Sequence, residues 1–257
     1  MEGIMEFQGM VEEIRANLSG IGHKIAVMSG KGGVGKTTVA VNLAVSLAKK
    51  CKVSLLDADI DCPNVNKFLG IKERLTARGG KMVPVNKYGM SVVSFASLQE
   101  SEDQPVIWRG PMLSKAIMEL LGNVEWGKQD YLIVDLPPGT SDAPLTIMQI
   151  LKPDGVVIVT TPQEVAVVDA RKSARMAMKM EIPVIGIIEN MTGDIFGTGG
   201  GEKAAGDLGV EFLGRVRLDK RISGSADKGK PFVLEESPVS GGFGDIVKKV
   251  KQYTDKK

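Results

Sequence analysis

The sequence predicts an α/β fold in which a doubly wound, mainly parallel sheet of about seven or eight strands carries helices on both faces. Two observations predict it. Short β-branched runs alternate with helix-like segments along the chain, and most of these runs are continuously apolar, which is typical of strands buried on both faces. No internal repeat or low-complexity linker divides the sequence, so we expect one domain over residues 1–257.

The predicted strands cover residues 24–29, 52–59, 90–96, 131–137, 155–161, 183–190 and 211–216. The predicted helices between them cover residues 36–50, 111–121, 143–151 and 164–180. In a sheet of this kind, ligands bind at the carboxyl ends of the strands. We therefore expect the functional residues to follow the strands in the sequence.

Two terminal segments flank this alternating region. Residues 1–22 are predicted to contain a lead-in helix, and residues 240–257 a basic amphipathic helix with lysines opposite an apolar face. That apolar face contains Phe243, Ile246, Val247, Val250 and Tyr253. A basic amphipathic helix can bind a membrane surface. Docking on its own sheet is the favoured interpretation, because the chain ends in the hydrophilic residues TDKK.

The composition is that of an ordinary water-soluble protein. Hydrophobic residues make up 43% and charged residues 25%, and the 33 basic and 31 acidic residues leave a net charge of +2. This charge is too small to predict a nucleic-acid partner. The apolar runs are too short for a membrane span, and the first residues carry acids where a signal peptide needs bases. We expect a cytoplasmic protein.

The chain contains two cysteines, Cys51 and Cys62, and one histidine, His23. The cysteines lack the C-x-x-C spacing of a zinc or iron–sulfur site, so a metal centre contained within one chain is not expected. Cys51 is interpreted as a small core residue, and His23 as a surface or hydrogen-bonded side chain.

A phosphate-binding loop is the strongest motif. The sequence GKGGVGKT at residues 30–37 matches G-x-x-x-x-G-K-S/T directly after a predicted strand and before a predicted helix. Its glycines allow backbone N–H groups to turn toward phosphate oxygens, Lys36 is expected to reach the β- and γ-phosphates, and Thr37 to ligate Mg²⁺. The sequence thus predicts ATP or ADP with Mg²⁺ bound by Gly30, Lys31, Gly32, Gly33, Val34, Gly35, Lys36, Thr37 and Thr38.

Acidic residues follow two of the predicted strands. Asp135 occupies the position of a Walker B aspartate, which holds Mg²⁺ through water. Asp57, Asp59 and Asp61 would share one face if their strand stayed extended. We expect Asp59 to orient the attacking water and to sense Mg²⁺, and Asp57 to give structural support, while the role of Asp61 stays open. The predicted metal set is Thr37, Asp59 and Asp135.

A second lysine, Lys31, is not required by the phosphate loop. The sequence KGGVGKTT is similar to the deviant Walker A motif of the MinD, ParA and nitrogenase iron-protein group. In that group this lysine reaches across a homodimer interface to the partner's nucleotide. The resemblance implies a homodimer in which Lys31 acts in trans, giving a catalytic set of Lys31, Lys36 and Asp59. The alternative is a solvated lysine.

The order of motifs is more specific. Six stretches follow one another along the chain: HKIAVMSGKGGVGKTTVAVNLA, LLDADIDCPN, YLIVDLPPGTSDAPLT, VIVTTPQEVAVVDARK, GIIENMTG and GGGEKAAGDLGVEFLG. Together they resemble the Mrp/ApbC family of P-loop ATPases, which carry iron–sulfur clusters. The resemblance implies that Asn190 recognises adenine and that residues 218–222 lie near the base. Arg217 stands where a proline is usual. Residues 108–111 are implied to form a dimer or partner surface.

One departure concerns the cluster itself. The family usually has a C-x-x-C pair after ENM-S/T-G, but residues 189–203 here read ENMTGDIFGTGGGEK without cysteine. This segment cannot supply thiolates to a [4Fe–4S] cluster. Cys62 is a candidate substitute, but ordinary packing or exposure is the favoured interpretation. The glycines are expected to form a mobile loop before a helix.

Two functions agree with these patterns. The first is a slow Mg²⁺-ATPase of the Mrp/ApbC type, a homodimer that serves iron–sulfur apo-protein clients or works with a cysteine-bearing partner subunit. The second is a switch similar to MinD and ParA, in which ATP-driven dimerisation creates a surface for a membrane or partner. The motif order favours the first, and a membrane partner is not expected.

Overall fold

The computed structural model describes residues 2–98 and 110–256. The strands are β1 (Ile21–Ser29), β2 (Val53–Asp57), β3 (Thr76–Arg78), β4 (Lys81–Val83), β5 (Val85–Lys87), β6 (Met90–Ser94), β7 (Gln129–Asp135), β8 (Gly155–Thr160), β9 (Val184–Thr192) and β10 (Phe212–Arg217). The α-helices are α1 (Glu2–Asn17), α2 (Lys36–Ala48), α3 (Val65–Leu69), α4 (Gly110–Gly122), α5 (Asp142–Leu151), α6 (Glu164–Lys179), α7 (Gly200–Leu208), α8 (Lys220–Asp227) and α9 (Pro238–Thr254).

Within the described residues, eight strands form one sheet in the order β10-β9-β8-β1-β7-β2-β6-β5. All neighbours in it are parallel except β5, which pairs antiparallel with β6. The chain leaves β1 toward β2 on one side and returns to β8 on the other. This order confirms the predicted doubly wound sheet, and it brings the carboxyl ends of β1, β7 and β2 together.

All seven predicted strands occur, but their ends differ from the prediction. β1 begins at Ile21, inside the segment assigned to the lead-in helix, and β2 ends at Asp57. The expectation that Asp57, Asp59 and Asp61 share one strand face is therefore wrong, because the chain turns after Asp57. The missed elements β3, β4, β5, α3 and α8 are short, and their few apolar residues set up no recognisable period.

Each face of the sheet is covered by its own apolar core. Ala26 and Met28 of β1 point toward the side that packs on α1, α4, α5 and α6. Ile25 and Val27 point toward the side that packs on α2 and α9. These four side chains are fully buried, which explains why the central strands read as continuous apolar runs.

The apolar face of α9 packs against β10. Phe243, Ile246 and Val250 are buried, and Lys249 Nζ donates a hydrogen bond to the Phe212 carbonyl oxygen at 2.7 Å. Lys248 instead lies in solvent, where it pairs with Asp245 on the same helix. No helix of the described residues combines the length and the apolar character that a membrane crossing needs.

Candidate nucleotide-binding site

The loop between β1 and α2 is shaped by glycines that no other residue could replace. Gly35 has a φ of 86°, and a Cβ there would lie 2.1 Å from Asn190 Nδ2. A Cβ on Gly30 would lie 2.2 Å from the carbonyl carbon of Asp169. The loop is therefore in close contact with both β9 and α6. Its backbone can take this path only without side chains at these two positions.

Lys36 and Thr37, the first residues of α2, converge on Asp135. Lys36 Nζ donates to Asp135 Oδ1 at 2.7 Å, and Thr37 Oγ1 donates to Asp135 Oδ2 at 2.6 Å. Asp135 ends β7, which pairs directly with β1, so the sheet places its carboxylate beneath the loop. Asp135 is fully buried and Lys36 is 6% exposed. This is a buried ion pair with both carboxylate oxygens engaged.

Asp59 lies beside this pair. Its Oδ2 is 3.7 Å from Lys36 Nζ, and its Oδ1 accepts a long hydrogen bond from the Cys62 N–H at 3.4 Å. Burial raises the pKa of Asp59, the charge of Lys36 opposes that rise, and the charge of Asp135 adds to it. Asp61, in contrast, is exposed.

Asp57 holds the turn after β2 in place. Its Oδ2 accepts hydrogen bonds from the Ser94 hydroxyl at 2.9 Å and from the Val65 N–H at 3.1 Å. Its Oδ1 accepts a weaker one from the Asp59 N–H at 3.3 Å. Asp57 is fully buried opposite Asp135 on the neighbouring strand. Burial, followed by the charge of Asp135, raises the pKa of Asp57 from 3.8 to about 8.

The oxygens at this sheet edge are suited to a hard divalent cation. The Thr37 hydroxyl and the Asp135 carboxylate are 2.6 Å apart, and Asp59 approaches from the adjoining turn. Mg²⁺ prefers such oxygen ligands and usually binds through one or two carboxylates together with water and substrate phosphates. In the part of the chain that the structure describes, no group of three or more His, Cys, Asp or Glu side chains is arranged to hold a metal ion by itself.

Two adjoining cavities open above these residues. The first, about 540 Å³, is lined by the loop together with Lys31, Asp59, Asp61 and Cys62. The second, about 830 Å³, lies beyond Thr38 and is lined by Asn190. Thr38, Asn64, Phe68 and Met191 line both, so the two form one continuous cleft.

Some lining residues were not predicted from the sequence. Phe68 and Asn64 belong to α3 and its N-terminal cap, an element too short to give a periodic signal. Met191 carries a positive φ of 59° directly after Asn190. The segment at residues 218–222 contributes Leu218 and Ile222 to the second cavity, which Asn190 also lines. Its expected position near a nucleobase stays a prediction.

Asn190 connects the loop to the sheet. Its Nδ2 donates to the Val34 carbonyl oxygen at 2.9 Å, and the residue is 4% exposed. Because the second cavity opens on the same residue, Asn190 contacts the back of the loop and the cleft at once.

The glycine-rich segment after Asn190 is anchored by a buried carboxylate. Glu189 is fully buried and accepts hydrogen bonds from the Gly199 and Gly201 N–H groups at 3.0 and 2.8 Å. Arg215 Nε donates to the same carboxylate at 3.0 Å, and Arg215 also pairs with Glu202. A Cβ on Gly201 would lie 2.9 Å from Glu189 Cβ. Close packing explains this glycine in a run that was expected to be a mobile loop.

The two cysteines lie in different environments. Cys51 is partly buried and packs against the core on the α2 side, whereas Cys62 is an exposed free thiol lining the first cavity.

Within the described chain, Lys31 also lines the first cavity, and no carboxylate pairs with it. Residues 108 and 109 of the predicted partner surface lie outside the described residues.

Comparisons with known proteins identify relatives along almost the whole chain. A family model described as ParA, NUBPL iron-transfer P-loop NTPase, matches residues 20–251. The iron–sulfur cluster carrier protein of Methanocaldococcus jannaschii is 49% identical over 259 residues, covering 95% of this chain and 89% of the relative. The carrier protein of Aquifex aeolicus is 43% identical over 258 residues, covering 95% of this chain and 71% of the relative.

Solved structures agree with this assignment. A nucleotide-binding protein from Archaeoglobus fulgidus, in complex with ADP, is 38% identical with a TM-score of 0.78, covering 88% of this chain and 94% of that one. The cell division ATPase MinD of Pyrococcus furiosus, at 21% identity and a TM-score of 0.73 over 90% of this chain and 99% of that one, shows that the fold is shared. The chain belongs to the ParA family of NUBPL-type iron-transfer P-loop NTPases, which confirms its predicted resemblance to the Mrp/ApbC iron–sulfur cluster carriers.

Proposed function

We propose that this protein is a slow Mg²⁺-dependent ATPase that works as a homodimer in the maturation of iron–sulfur proteins. The convergence of Lys36 and Thr37 on the buried Asp135 carries this proposal. This convergence places a phosphate-binding lysine, a hydroxyl ligand and a carboxylate at the end of a strand next to a glycine-rich loop. The relatives named iron–sulfur cluster carrier proteins support the cellular role, and the ADP complex of the Archaeoglobus protein supports the nucleotide.

The cleft suggests how this chain would hold ATP. The backbone N–H groups of residues 30–38 would surround the phosphates, aided by the positive end of the α2 dipole. Lys36, now paired with Asp135, would turn its ammonium toward the β- and γ-phosphates. Asn190 would meet the adenine in the second cavity. Bound Mg²⁺, held by Thr37, Asp135 and Asp59, would neutralise charge on the phosphate oxygens.

Asp59 is the proposed residue for positioning water. It is partly buried at the edge of the first cavity, 3.7 Å from Lys36 Nζ, so its carboxylate can face both the lysine and a water molecule near the γ-phosphate. Orienting that water is a main task of the protein in phosphoryl transfer, because little covalent chemistry is required of it.

Lys31 supports a homodimer in this proposal. It lines the phosphate cavity of its own chain, and no described carboxylate neutralises it. A cation supplied by a second subunit would stabilise charge on the transferring phosphoryl group, as an arginine finger does. Hydrolysis would then be slow in the monomer and faster in the dimer.

The iron–sulfur cluster would be the cargo of this protein, and the two thiols of the chain do not fit it as ligands. A [4Fe–4S] cluster is usually held by four thiolates. Among the described residues only Cys62 is an exposed thiol, and a two-fold dimer would bring two copies. We therefore propose that the thiolates come from apo-protein clients or from a cysteine-bearing partner subunit, with the protein acting in the cytoplasm.

A switch similar to MinD and ParA is the second candidate, and the absent C-x-x-C pair favours it. Because Phe243, Ile246 and Val250 of α9 are buried, truncation before this helix would damage the fold rather than test membrane binding. Co-sedimentation of the intact protein with anionic vesicles, with and without ATP, is the cleaner test. ATP-dependent sedimentation that Lys248→Glu abolishes would favour the switch.

The proposal is tested by calorimetry with ATP and ADP, followed by phosphate release with and without Mg²⁺. Turnover per subunit should increase with protein concentration. Failure of the wild-type protein to bind either nucleotide would overturn the proposal.

Anaerobic reconstitution with iron and sulfide, with iron counted per dimer, tests whether the protein itself binds a cluster. We expect equal iron uptake by the wild-type protein and Cys62→Ser, and a loss in the variant would show that Cys62 ligates a cluster.

A further inference from the structure

Arg217 occupies an unusual position at the end of β10. Its side chain is exposed and lines the 830 Å³ cavity together with Asn190, and it also lines a neighbouring cavity of about 400 Å³ beneath α9. The backbone at Arg217 pairs with β9 after an irregularity in register between Arg215 and Arg217: Arg217 is in register with Thr192, and the Leu218 N–H donates to the Thr192 carbonyl oxygen at 2.9 Å. Arg217 therefore borders the cleft two residues along β9 from Asn190.

The charge of Arg217 is uncompensated, unlike that of its neighbours. Arg215 pairs with Glu189 and Glu202, and Arg221 donates from Nε to Asp219 Oδ1 at 2.9 Å. Among the described residues, no carboxylate lies within ion-pair distance of Arg217, although Asp219 and Asp227 line the same cavity. An arginine left unpaired beside a cleft is available to a ligand.

The cavity around Arg217 is suited to a nucleobase. Its walls include the apolar side chains Phe68, Met191, Leu218 and Ile222. A purine is flat and has π faces that both apolar surface and a planar guanidinium can cover. Lys67 and Lys220 line the same cavity, but an ammonium is a compact point charge and cannot stack in this way.

Arg217 is separated from the phosphate end of the cleft. The 540 Å³ cavity is lined by Lys31 and Lys36, and Arg217 is absent from its described lining. The boundary between the two cavities runs through Thr38 and Met191. A nucleotide with its phosphates on the loop would thus place its base, and not its phosphates, next to Arg217.

We infer that Arg217 covers the nucleobase of the bound nucleotide by stacking its guanidinium on the base, and that it is a determinant of nucleotide affinity. This inference rests on the proposed function, because it requires ATP or ADP in the cleft. Arg217 makes no described contact that the fold needs, so its replacement should leave the folded protein intact.

The test compares Arg217→Ala with the wild-type protein by calorimetry, using ADP with Mg²⁺ and, separately, tripolyphosphate, which has no base. We expect the Kd for ADP to rise about 3- to 10-fold, the range for a cation stacked on an aromatic ring, and the Kd for tripolyphosphate to stay unchanged. Lys248→Ala, which removes a distant exposed positive charge, is the matched control and should bind both ligands normally.

The outcomes separate the inference from the proposed function. If wild-type protein binds no ADP, the proposed function fails first. If wild-type protein binds ADP and Arg217→Ala binds it equally well, the inference is wrong. An equal loss for ADP and tripolyphosphate would also overturn it, because Arg217 would then act on phosphates. Arg217→Lys should recover less than half of the lost affinity, and full recovery would exclude stacking.

Discussion

Lys36 Nζ lies 2.7 Å from Asp135 Oδ1, and both groups are buried at the point where α2 meets the end of β7. The lysine and the carboxylate neutralise each other. If a triphosphate enters together with Mg²⁺, the ammonium can turn to the phosphates while the metal ion takes its place beside Asp135, so that no buried charge is left unpaired. The site is thus arranged in advance for a negatively charged ligand.

Lys36→Ala is expected to weaken ATP binding at least about 100-fold and to abolish turnover, because it removes the cation that is proposed to face the phosphates. It should also lower the free energy of unfolding by about 3 kcal/mol, since the buried Asp135 loses its ion-pair partner. Calorimetry and urea denaturation measure the two effects. Lys128→Ala, at an exposed position, is the control. Unaltered ATP affinity in Lys36→Ala would contradict the assignment.

Lys31→Ala is expected to bind ATP within about 3-fold of the wild-type affinity and to lose at least about 100-fold in turnover. The reason is that Lys31 is proposed to act on the nucleotide of the partner subunit, during reaction and not in ground-state binding. Phosphate release should be measured over a range of protein concentrations. Normal hydrolysis by Lys31→Ala would refute action in trans and leave a solvated lysine.

Asp57 is expected to make stability fall as the pH rises. Its pKa is raised from 3.8 to about 8 in the folded protein, so the folded state keeps a proton that the unfolded chain releases. The stabilisation is complete below about pH 4 and is lost as the pH rises through about 8. Between pH 5 and 8, the wild-type protein should lose on the order of a few kcal/mol of its free energy of unfolding through this group, and Asp57→Asn should not show that loss.

Urea denaturation in EDTA without nucleotide measures this effect, because a bound cation would favour the ionised carboxylate. Asp61→Asn, at an exposed position in the same turn, should leave the pH dependence unchanged. An identical pH dependence in the wild-type protein and Asp57→Asn would show that Asp57 is ionised in both states.

Glu189→Gln is expected to lower the free energy of unfolding by about 1–3 kcal/mol. The isosteric amide removes the charge that Arg215 faces, and its NH₂ group replaces the oxygen that accepts from either the Gly199 or the Gly201 N–H group. Hydrogen exchange of at least one of these two amides should accelerate in the variant. Glu202→Gln, an exposed partner of Arg215, should cost at most about 1 kcal/mol. Equal losses in both variants would contradict a special role for Glu189.

Much of the fold could be predicted because its signals are local. The parallel strands are buried on both faces, so each appears as an apolar run, and the phosphate loop requires glycines at fixed spacing. The elements that were missed lie where no such signal exists. The edge strand β5 has three residues, and α3 is a five-residue helix.

The end of β2 shows what local patterns cannot predict. Periodicity suggested that Asp57, Asp59 and Asp61 continue along one strand face, but the strand ends when the Asp57 carboxylate accepts hydrogen bonds from Ser94 and Val65. Ser94 is 37 residues away in the sequence. A contact over that distance depends on the pairing of β2 with β6, and this pairing cannot be predicted from a short stretch of sequence.

The fold class, the phosphate loop and the family can be predicted from the sequence alone, because each depends on short patterns of glycine, lysine and apolar residues. The tertiary structure sets which acidic residues meet Lys36 and how Glu189 holds the glycine-rich segment. It also places Arg217, without a described carboxylate partner, beside the cavity in which a nucleobase is proposed to bind. These relationships arise between strands that are distant in the chain. Their physical cause is the sheet order, which brings the carboxyl ends of β1, β7 and β2 together at one edge and those of β9 and β10 beside them.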